Sequence, residues 1–331
     1  MGSGSKAKPV KQKLDSARII ENIYKYGLYV VFVVLLVTFS QFNVHFLTAS
    51  NMINLLTQTV TVCIAASGLA FVMITGGIDI SSGAVIFMTS IIAATTTDAG
   101  LGLFGVILLS IASGAAIGTI NGFFIAKLKM APLIVTLAMM FIIRGLTISI
   151  IGIRPVAFRN DVAMFLARTR YFHDLIPILV IFMIVVLVIC QFTLSKTAFG
   201  RRLFAIGNNK SGAETMSINV TRNVFACYVI SGSMAGLAGL LAGAQIGGIP
   251  PTFAVGQEFI IISSAVLGGV SLFGGKGRVF PGVFLGVLIL MTIENGLVMA
   301  QANMYSFMIF RGIIIFIAVF LDSARNRGAY K

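Results

Sequence analysis

The residues that could do chemistry in this sequence are a few charged and amide side chains set inside otherwise apolar stretches. Asp79 stands between paired glycines and paired serines in the run ITGGIDISSG (74–83). A carboxylate in an apolar environment is costly, so it is usually paired or functional. Two interpretations are equally open. The run is typical of a broken helix whose backbone lines a polar path or gate, and it is also typical of an N-cap for the next helix.

Other polar residues accompany Asp79 in or at the ends of apolar stretches. Arg144 and Arg311 must find carboxylates or backbone carbonyls, and we expect this pairing to be structural and to join the two halves of the chain. The acids within reach are Asp79, Glu258 and Glu294. The full set of candidate path or gate residues is Gly76, Gly77, Asp79, Ser81, Asn121, Arg144, Glu258, Glu294, Asn295 and Arg311.

Catalytic and metal-binding chemistry is not predicted. The only histidines are His45 and His173, and Cys63, Cys190 and Cys227 have no metal-ligand spacing, so we expect buried packing roles for the cysteines. The segment 274–278, GGKGR, lacks the spacing and the Ser or Thr of a P-loop. The sequence therefore predicts no catalytic residues, no metal site and no ATP hydrolysis by this chain.

The elements that must hold these polar residues are membrane helices. Of the 331 residues 58% are hydrophobic and 10% are charged, whereas about a quarter are charged in soluble domains. Lipid offers no hydrogen bonds to open backbone, so long apolar runs must be helical. We predict an all-α polytopic membrane protein with about ten transmembrane helices at 27–43, 52–75, 83–98, 102–126, 131–152, 175–194, 222–246, 258–274, 279–300 and 305–322. The third and eighth are short or interrupted by glycine and are candidates for re-entrant segments.

Charge distribution predicts the topology. The formal net charge is +14, but the lysines and arginines concentrate in the N-terminal segment and in alternate loops, which indicates membrane orientation and not nucleic-acid binding. The outer side receives only Arg154, Arg159, Arg168 and Arg170. Both termini are therefore predicted in the cytoplasm. The domain prediction is a basic cytoplasmic segment at 1–26, a transmembrane domain at 27–322 with a cytoplasmic loop at 195–221, and a cytoplasmic tail at 323–331.

Short motifs recur in the same order in the two halves of the chain. Gly76-Gly77-Ile78-Asp79 is echoed by 247–250, Asn121-Gly122 by 295–296 and Arg144-Gly145 by 311–312. Five spans per half is an odd number, so the halves would form an inverted repeat, as in alternating-access transporters. Small residues at every fourth or nearly every fourth position predict close helix packing: Ser110, Gly114, Gly118 and Gly122 in the fourth span, and Gly232, Gly236, Gly239, Gly243 and Gly247 in the seventh.

The polar loop Thr197–Val220 reads as a docking element. Gly207, Asn208 and Asn209 predict a turn, and Ser211 with Glu214 predicts a capping box that starts a short helix. Ala213, Met216 and Ile218 would give this helix a small apolar face suited to a partner's groove. The alternative is a plain linker between the two halves, which has no need of a capped helix.

Four motifs in order resemble the permease subunits of bacterial ATP-binding-cassette importers for simple sugars, the ribose, galactose, xylose and arabinose permease family. The motifs are ITGGIDISSG (74–83), PLIVTLAMMFIIRGL (132–146), GRRLFAIGNN (200–209) and VLGGVSLFGGKG (266–277), within roughly 51–322. The resemblance implies a dimerising subunit that receives sugar from a periplasmic or lipid-anchored binding protein and is driven by a separate cytoplasmic ATPase, which binds the ATP and Mg²⁺. It places ATPase coupling at Gly207, Asn208, Asn209, Ala213, Glu214 and Ser217.

The predicted function is therefore import of a monosaccharide or similar small polyol across the bacterial inner membrane. The chain would be a multi-pass subunit without its own cofactor, working with a second copy of itself or a paralogue. Two alternatives remain at this stage. One is a related permease for branched-chain amino acids or nucleosides, and the other is an ion-coupled secondary transporter with Asp79 as its ion site.

Overall fold

The computed structural model describes residues 10–303 and ten further residues up to 323, namely 309, 310, 312, 313, 316, 317, 319, 320, 322 and 323, with side chains described from Tyr26 onward. Arg311, a predicted path residue, lies outside the described residues, as does part of the tenth predicted span.

The described part of the chain is mainly helical. In order, the helices are α1 Val10–Phe42, α2 Ala49–Ile74, α3 Ser82–Asp98, α4 Leu103–Gly122, α5 Pro132–Ile151, α6 Asp161–Arg168, α7 Ile178–Lys196, α8 Ala198–Asn208, α9 Lys210–Thr215, α10 Val220–Ile246, α11 Gln257–Leu267 and α12 Phe284–Met299. A π-helical turn, Phe123–Lys127, extends α4, and another, Val279–Val283, precedes α12. The residues described between 309 and 323 are helical.

Four two-residue strands form two small antiparallel pairs. They are β1 Val156–Ala157, β2 Arg170–Tyr171, β3 Ile176–Pro177 and β4 Gly248–Ile249. Val156 pairs with Ile249, and β2 pairs with β3. These strands belong to the loops on either side of α6 and after α10, so they tie connections together without altering the helical class.

The helices begin and end where local sequence favours it. The side-chain oxygens of Thr48 and Asn219 accept hydrogen bonds from backbone N–H groups in the first turns of α2 and α10, as N-caps do. Pro132 occupies the first turn of α5, where its missing N–H costs nothing. Gly247 ends α10 in the left-handed conformation that glycine adopts without strain.

Helices α2 and α10 form the centre of the bundle. Helix α10 packs on α2, α3 and α4, while α2 also packs on α7, α11 and α12. Most of α2 is buried, including an unbroken run from Thr59 to Ile74. The predicted packing roles of Cys63, Cys190 and Cys227 are confirmed, since all three thiols are buried and free.

The predicted small-residue faces are confirmed as helix contacts. A Cβ added at Gly114 would lie 2.1 Å from the carbonyl oxygen of Gly232, and one at Gly236 would lie 2.2 Å from that of Ser110. Helices α4 and α10 therefore touch backbone to backbone. Further along α10, a Cβ at Gly239 would meet the hydroxyl of Thr89 and the backbone of α3.

The bundle has two distinguishable ends. Helices α8 and α9 pack at the start of α10 and the end of α2, and we call this the α8–α9 end. At the other end, the Phe158 N–H donates to the Gly247 carbonyl, and the Asn160 amide donates to Asp98 at the end of α3. This is the α6 end.

The observed helices match most of the predicted spans. Within the described residues, six helices are long and apolar enough to cross a membrane: α2, α4 with its π turn, α5, α7, α10, and α12 with its π turn. Tyr26–Phe42 and α11 are shorter apolar helices. The eighth span is shorter than predicted, because α11 ends at Leu267 and a glycine-rich loop follows. Helix α1 runs without interruption through the predicted boundary at residue 26.

Candidate functional site

The helical structure is interrupted between α2 and α3, as the paired glycines predict. Helix α2 ends at Ile74, Gly76 has a φ of +80°, and α3 begins at Ser82. Tyr228 of α10 donates from its hydroxyl to the Ile78 carbonyl across this break (3.2 Å). The segment 75–81 is therefore non-helical backbone that is exposed at Gly76 and buried from Asp79 to Ser81, and membrane proteins tolerate such backbone only where protein or water satisfies it.

Asp79 accepts hydrogen bonds at the start of α3, and we call this its helix-start role. Its Oδ1 accepts from the Ser81 backbone N–H (3.0 Å) and from the Ser81 hydroxyl (2.6 Å), and its Oδ2 accepts from the Ser231 hydroxyl (2.8 Å). The Asn121 amide donates to the Ser81 hydroxyl oxygen (2.9 Å). Asp79 is 2% exposed. The predicted N-cap role is wrong, because the N-cap residue of α3 is Ser81, and Asp79 instead holds the turn that leads into α3.

The start of α11 meets the start of α3. A Cβ added at Gly83 would lie 2.2 Å from Oε2 of Glu258 and 3.0 Å from the Ala254 carbonyl oxygen. Glu258 is buried, and its Oε1 accepts from the Gly256 N–H (3.2 Å). The starts of α3 and α11 thus lie together beside the Glu258 carboxyl group.

Arg144 joins α5 to the loop before α11. Its guanidinium donates to the carbonyls of Phe253 (3.1 Å) and Ala254 (3.2 Å), and it lies 5.5 Å from the centre of the Phe87 ring. Its hydrogen-bonding partners are therefore backbone carbonyls, one of the two kinds of partner expected for a buried arginine.

Two polar clefts open at opposite ends of the bundle. The cleft at the α8–α9 end, about 410 Å³, is lined by the end of α2, the π turn after α4 and the start of α10, with Gly76, Gly77, Lys129, Lys210 and Glu214. The cleft at the α6 end, about 370 Å³, is lined by the start of α2, the end of α10, the start of α11 and α12, with Gln58, Thr61, Gln245, Gln257 and Glu294.

The predicted path residues therefore separate into groups. Gly76 and Gly77 line one cleft and Glu294 lines the other. Asn295 is buried in a reciprocal amide pair with Asn51, with N···O distances of 2.9 and 3.2 Å. Asp79, Ser81, Asn121 and Glu258 are also buried. The buried members connect helices to one another.

Three cleft residues were missed by sequence reasoning: Gln58, Gln245 and Gln257. Each lies in or beside a predicted span, and an uncharged amide there was overlooked in favour of acids and arginines. The usable signal was the presence of glutamine where apolar residues dominate.

The loop after α7 is helical for most of its length. The predicted turn at Gly207 is wrong, because Gly207 and Asn208 are the last residues of α8. The predicted Ser211 cap is also wrong. Asn209 caps α9, with its Oδ1 accepting from the Gly212 N–H (2.9 Å). Glu214 lies in α9, and Ser217 follows it with a φ of +58°.

The predicted apolar face of this loop is divided between two roles. Ala213 is buried in a small cluster with Ile206 and Val220, against which Ile218 packs. Met216 points outward and is 74% exposed. Ala213 and Ile218 therefore anchor the loop to the bundle, and the flexible apolar side chain of Met216 is left exposed to solvent.

Gly207 connects this loop to two other segments. A Cβ there would lie 1.9 Å from the Ile74 carbonyl oxygen and 2.4 Å from the Gly275 nitrogen. The Gly275 N–H donates to the Ile74 carbonyl (2.9 Å), and the Asn208 amide donates to the Gly275 carbonyl (3.4 Å). Helix α8, the end of α2 and the loop 268–278 meet at this glycine junction, and only glycine fits there without displacing backbone.

Known proteins similar to this chain are membrane permeases. Residues 51–319 match the family described as "Branched-chain amino acid transport system / permease component". The chain is 37% identical over 302 residues to the ribose import permease protein RbsC of Bacillus subtilis, covering 91% of this chain and 94% of the relative. The D-allose transport system permease protein AlsC of Escherichia coli is 34% identical over 301 residues (90% and 91%). The L-arabinose transport system permease protein AraH of Escherichia coli is 33% identical over 307 residues (92% of each). No solved structure matches the chain.

Proposed function

We propose a function from the family to which the chain belongs, that of the branched-chain amino acid transport system permease components. The chain is the membrane subunit of an ATP-binding-cassette importer for a monosaccharide or similar small polyol. The observation that carries this is its similarity, over about nine-tenths of its length, to permeases named for ribose, allose and arabinose. It is a multi-pass protein of the bacterial inner membrane.

The alternatives are less well supported. The family's description names branched-chain amino acids, but these three relatives are all sugar permeases. An ion-coupled transporter would need an ion site at Asp79, whose two oxygens already accept hydrogen bonds from Ser81 and Ser231.

We infer an inverted repeat in which α2–α5 correspond to α10, α11, α12 and the helical residues 309–323. The packing is reciprocal: α3 and α4 of the first unit lie against α10, while α11 and α12 of the second lie against α2. The two clefts are lined by segments that this correspondence pairs: one by the end of α2 and the start of α10, the other by α2 nearer its start and the end of α10. This supports ten spans and alternating access between the two ends of the bundle.

The α8–α9 end is the cytoplasmic end in this proposal, with both termini on that side, and it is where the partner ATPase binds. Lys196, Arg201, Arg202, Lys210 and Arg222 concentrate there, as the positive-inside rule requires. Met216 is the exposed apolar contact, and α9 with Glu214 is the docking helix. Gly207, Asn208, Asn209, Ala213 and Ser217 shape and anchor it.

Coupling follows from the glycine junction. ATP and Mg²⁺ are bound by the ATPase, and its closure moves α8 and α9. Since α8 contacts the end of α2 and the loop 268–278 through backbone atoms, this movement reaches α2 in the first half and the loop between α11 and α12 in the second. The two ends then open in turn. A periplasmic or lipid-anchored binding protein delivers the sugar, and a second permease copy or a paralogue completes the complex.

The test is reconstitution of the chain with its ATPase and binding protein in proteoliposomes, with ATP-driven uptake measured across a panel of labelled pentoses and hexoses. Uptake of one sugar that requires all three components is the expected result. Uptake of an amino acid in its place, or uptake by this chain alone under an ion gradient, would overturn the proposal.

A further inference from the structure

We propose that the cleft at the α6 end is a contact site for the hydroxyl groups of the transported sugar, with Gln58, Gln245 and Gln257 as its hydrogen-bonding residues. The inference rests on the proposed function and adds to it a location and a set of side chains. Its volume of about 370 Å³ is within the range of small-molecule pockets, about 300–1,000 Å³.

The polar side chains of this cleft come from separate helices and converge. Gln58 and Thr61 are on α2, Gln245 is near the end of α10, Gln257 begins α11 and Glu294 is on α12. An amide that faces hydrocarbon costs several kcal/mol. Their shared position around one cavity therefore indicates a wet surface and not a lipid-facing one.

The chemistry of the lining matches a neutral polyol. Glutamine offers two N–H donors and a carbonyl acceptor, so it can bond a hydroxyl in either sense. Oε1 of Gln257 is buried and accepts no hydrogen bond from the described residues. Among the described residues the lining contains no Lys or Arg, which disfavours phosphorylated or carboxylated cargo. Val62, Ile246, Phe253 and Met291 supply apolar surface for the carbon face of a sugar ring.

The other cleft does not have this character. Its lining includes Lys129, Lys210 and Glu214, and no glutamine within the described part of the chain. If the α8–α9 end is cytoplasmic, the amide-lined cleft opens on the periplasmic side, where the binding protein releases its sugar. Amide contacts there would hold the sugar at the mouth while the bundle changes conformation.

The experiment replaces each amide by an apolar side chain of similar length: Gln58→Leu, Gln245→Leu and Gln257→Leu. Thr119→Val is the matched control, because Thr119 is on the exposed part of α4 and its hydroxyl bonds only within its own helix in the described structure. Each permease is reconstituted with its ATPase and saturating sugar-loaded binding protein, and sugar taken up and ATP hydrolysed are both measured. We expect uptake per ATP to fall about three- to tenfold in the glutamine variants, the effect of one lost hydrogen bond, with unchanged stimulation of ATPase by binding protein.

A conservative variant and a labelling measurement keep the test decisive. Gln245→Glu keeps an acceptor and should restore part of the uptake, while Gln245→Cys should react with a membrane-impermeant maleimide more slowly when millimolar free sugar is present. Wild-type uptake per ATP in all three leucine variants would overturn this inference and leave the proposed function standing. A wild-type complex that moves no sugar would overturn both.

Discussion

Gly207→Ala is the substitution that tests how this protein couples ATP hydrolysis to movement. Gly207 lies in α8 against the last carbonyl of α2 and the backbone of Gly275. The added methyl group would enter the space occupied by the hydrogen bond from the Gly275 N–H to the Ile74 carbonyl (2.9 Å). Every atom it meets belongs to backbone, so no side-chain rotation relieves the contact.

The size of the effect follows from the distances. An ordinary carbon–oxygen contact is about 3.3–3.6 Å, whereas the new Cβ would stand 1.9 Å from the Ile74 oxygen. Helix α8 must therefore move away by roughly 1.4–1.7 Å. Overpacking of this kind costs about 1–3 kcal/mol. If that energy is lost from the coupling between α8 and α2, the coupling constant falls about 5- to 150-fold.

The assay measures uptake and ATP hydrolysis together in proteoliposomes that contain permease, ATPase and binding protein. We expect Gly207→Ala to insert and to support ATP hydrolysis, with uptake per ATP at least fivefold lower. Gly27→Ala is the matched control, since a Cβ on this helical glycine meets nothing within 4 Å. Equal uptake per ATP in Gly207→Ala and wild type would refute transmission through the glycine junction.

Three further predictions concern the packing. Asp79→Ala should lower the unfolding temperature and yield in detergent much more than Asp79→Asn, because three donors from Ser81 and Ser231 lose their acceptor at about 1–3 kcal/mol for each buried group left unsatisfied; a stable Asp79→Ala that fails only in transport would contradict the helix-start role. Gly114→Ala should lower the unfolding temperature, because its Cβ would lie 2.1 Å from the Gly232 oxygen, and stability equal to Gly27→Ala would contradict the close contact of α4 with α10. A hydrophilic maleimide should label none of Cys63, Cys190 and Cys227, which are at most 3% exposed, until detergent denatures the protein; mass spectrometry of the folded protein would reveal any exception.

The spans and the small-residue faces could be predicted because both signals are local. An apolar run fixes a helix in lipid whatever surrounds it, and spacing by four places small residues on one face. The break at Gly76 was equally readable from its paired glycines. These features require no knowledge of what the helix contacts.

The errors arose where a distant contact decides the local structure. Gly207 is a poor helix residue and precedes two asparagines, so the local sequence predicts a turn. Helix α8 nevertheless includes Gly207, and the glycine is there because its backbone lies against Ile74. Asn209 and Ser211 are both good caps, and nothing local separates them. The amide cleft was missed because Gln58, Gln245 and Gln257 come from three helices and form a group only after folding.

The positions of the buried acids Asp79 and Glu258 favour a structural role over contact with the cargo. Asp79 and Glu258 lie at the starts of α3 and α11, whose positive ends meet inside the bundle. Glu258 lies beside Gly83 at the start of α3, and Arg144 of α5 donates to the Phe253 and Ala254 carbonyls just before α11, so these polar groups join α3, α5 and α11. An uncharged cargo can be bound by amides and hydroxyls alone, and Gln58, Gln245 and Gln257 supply amides in the cleft at the α6 end.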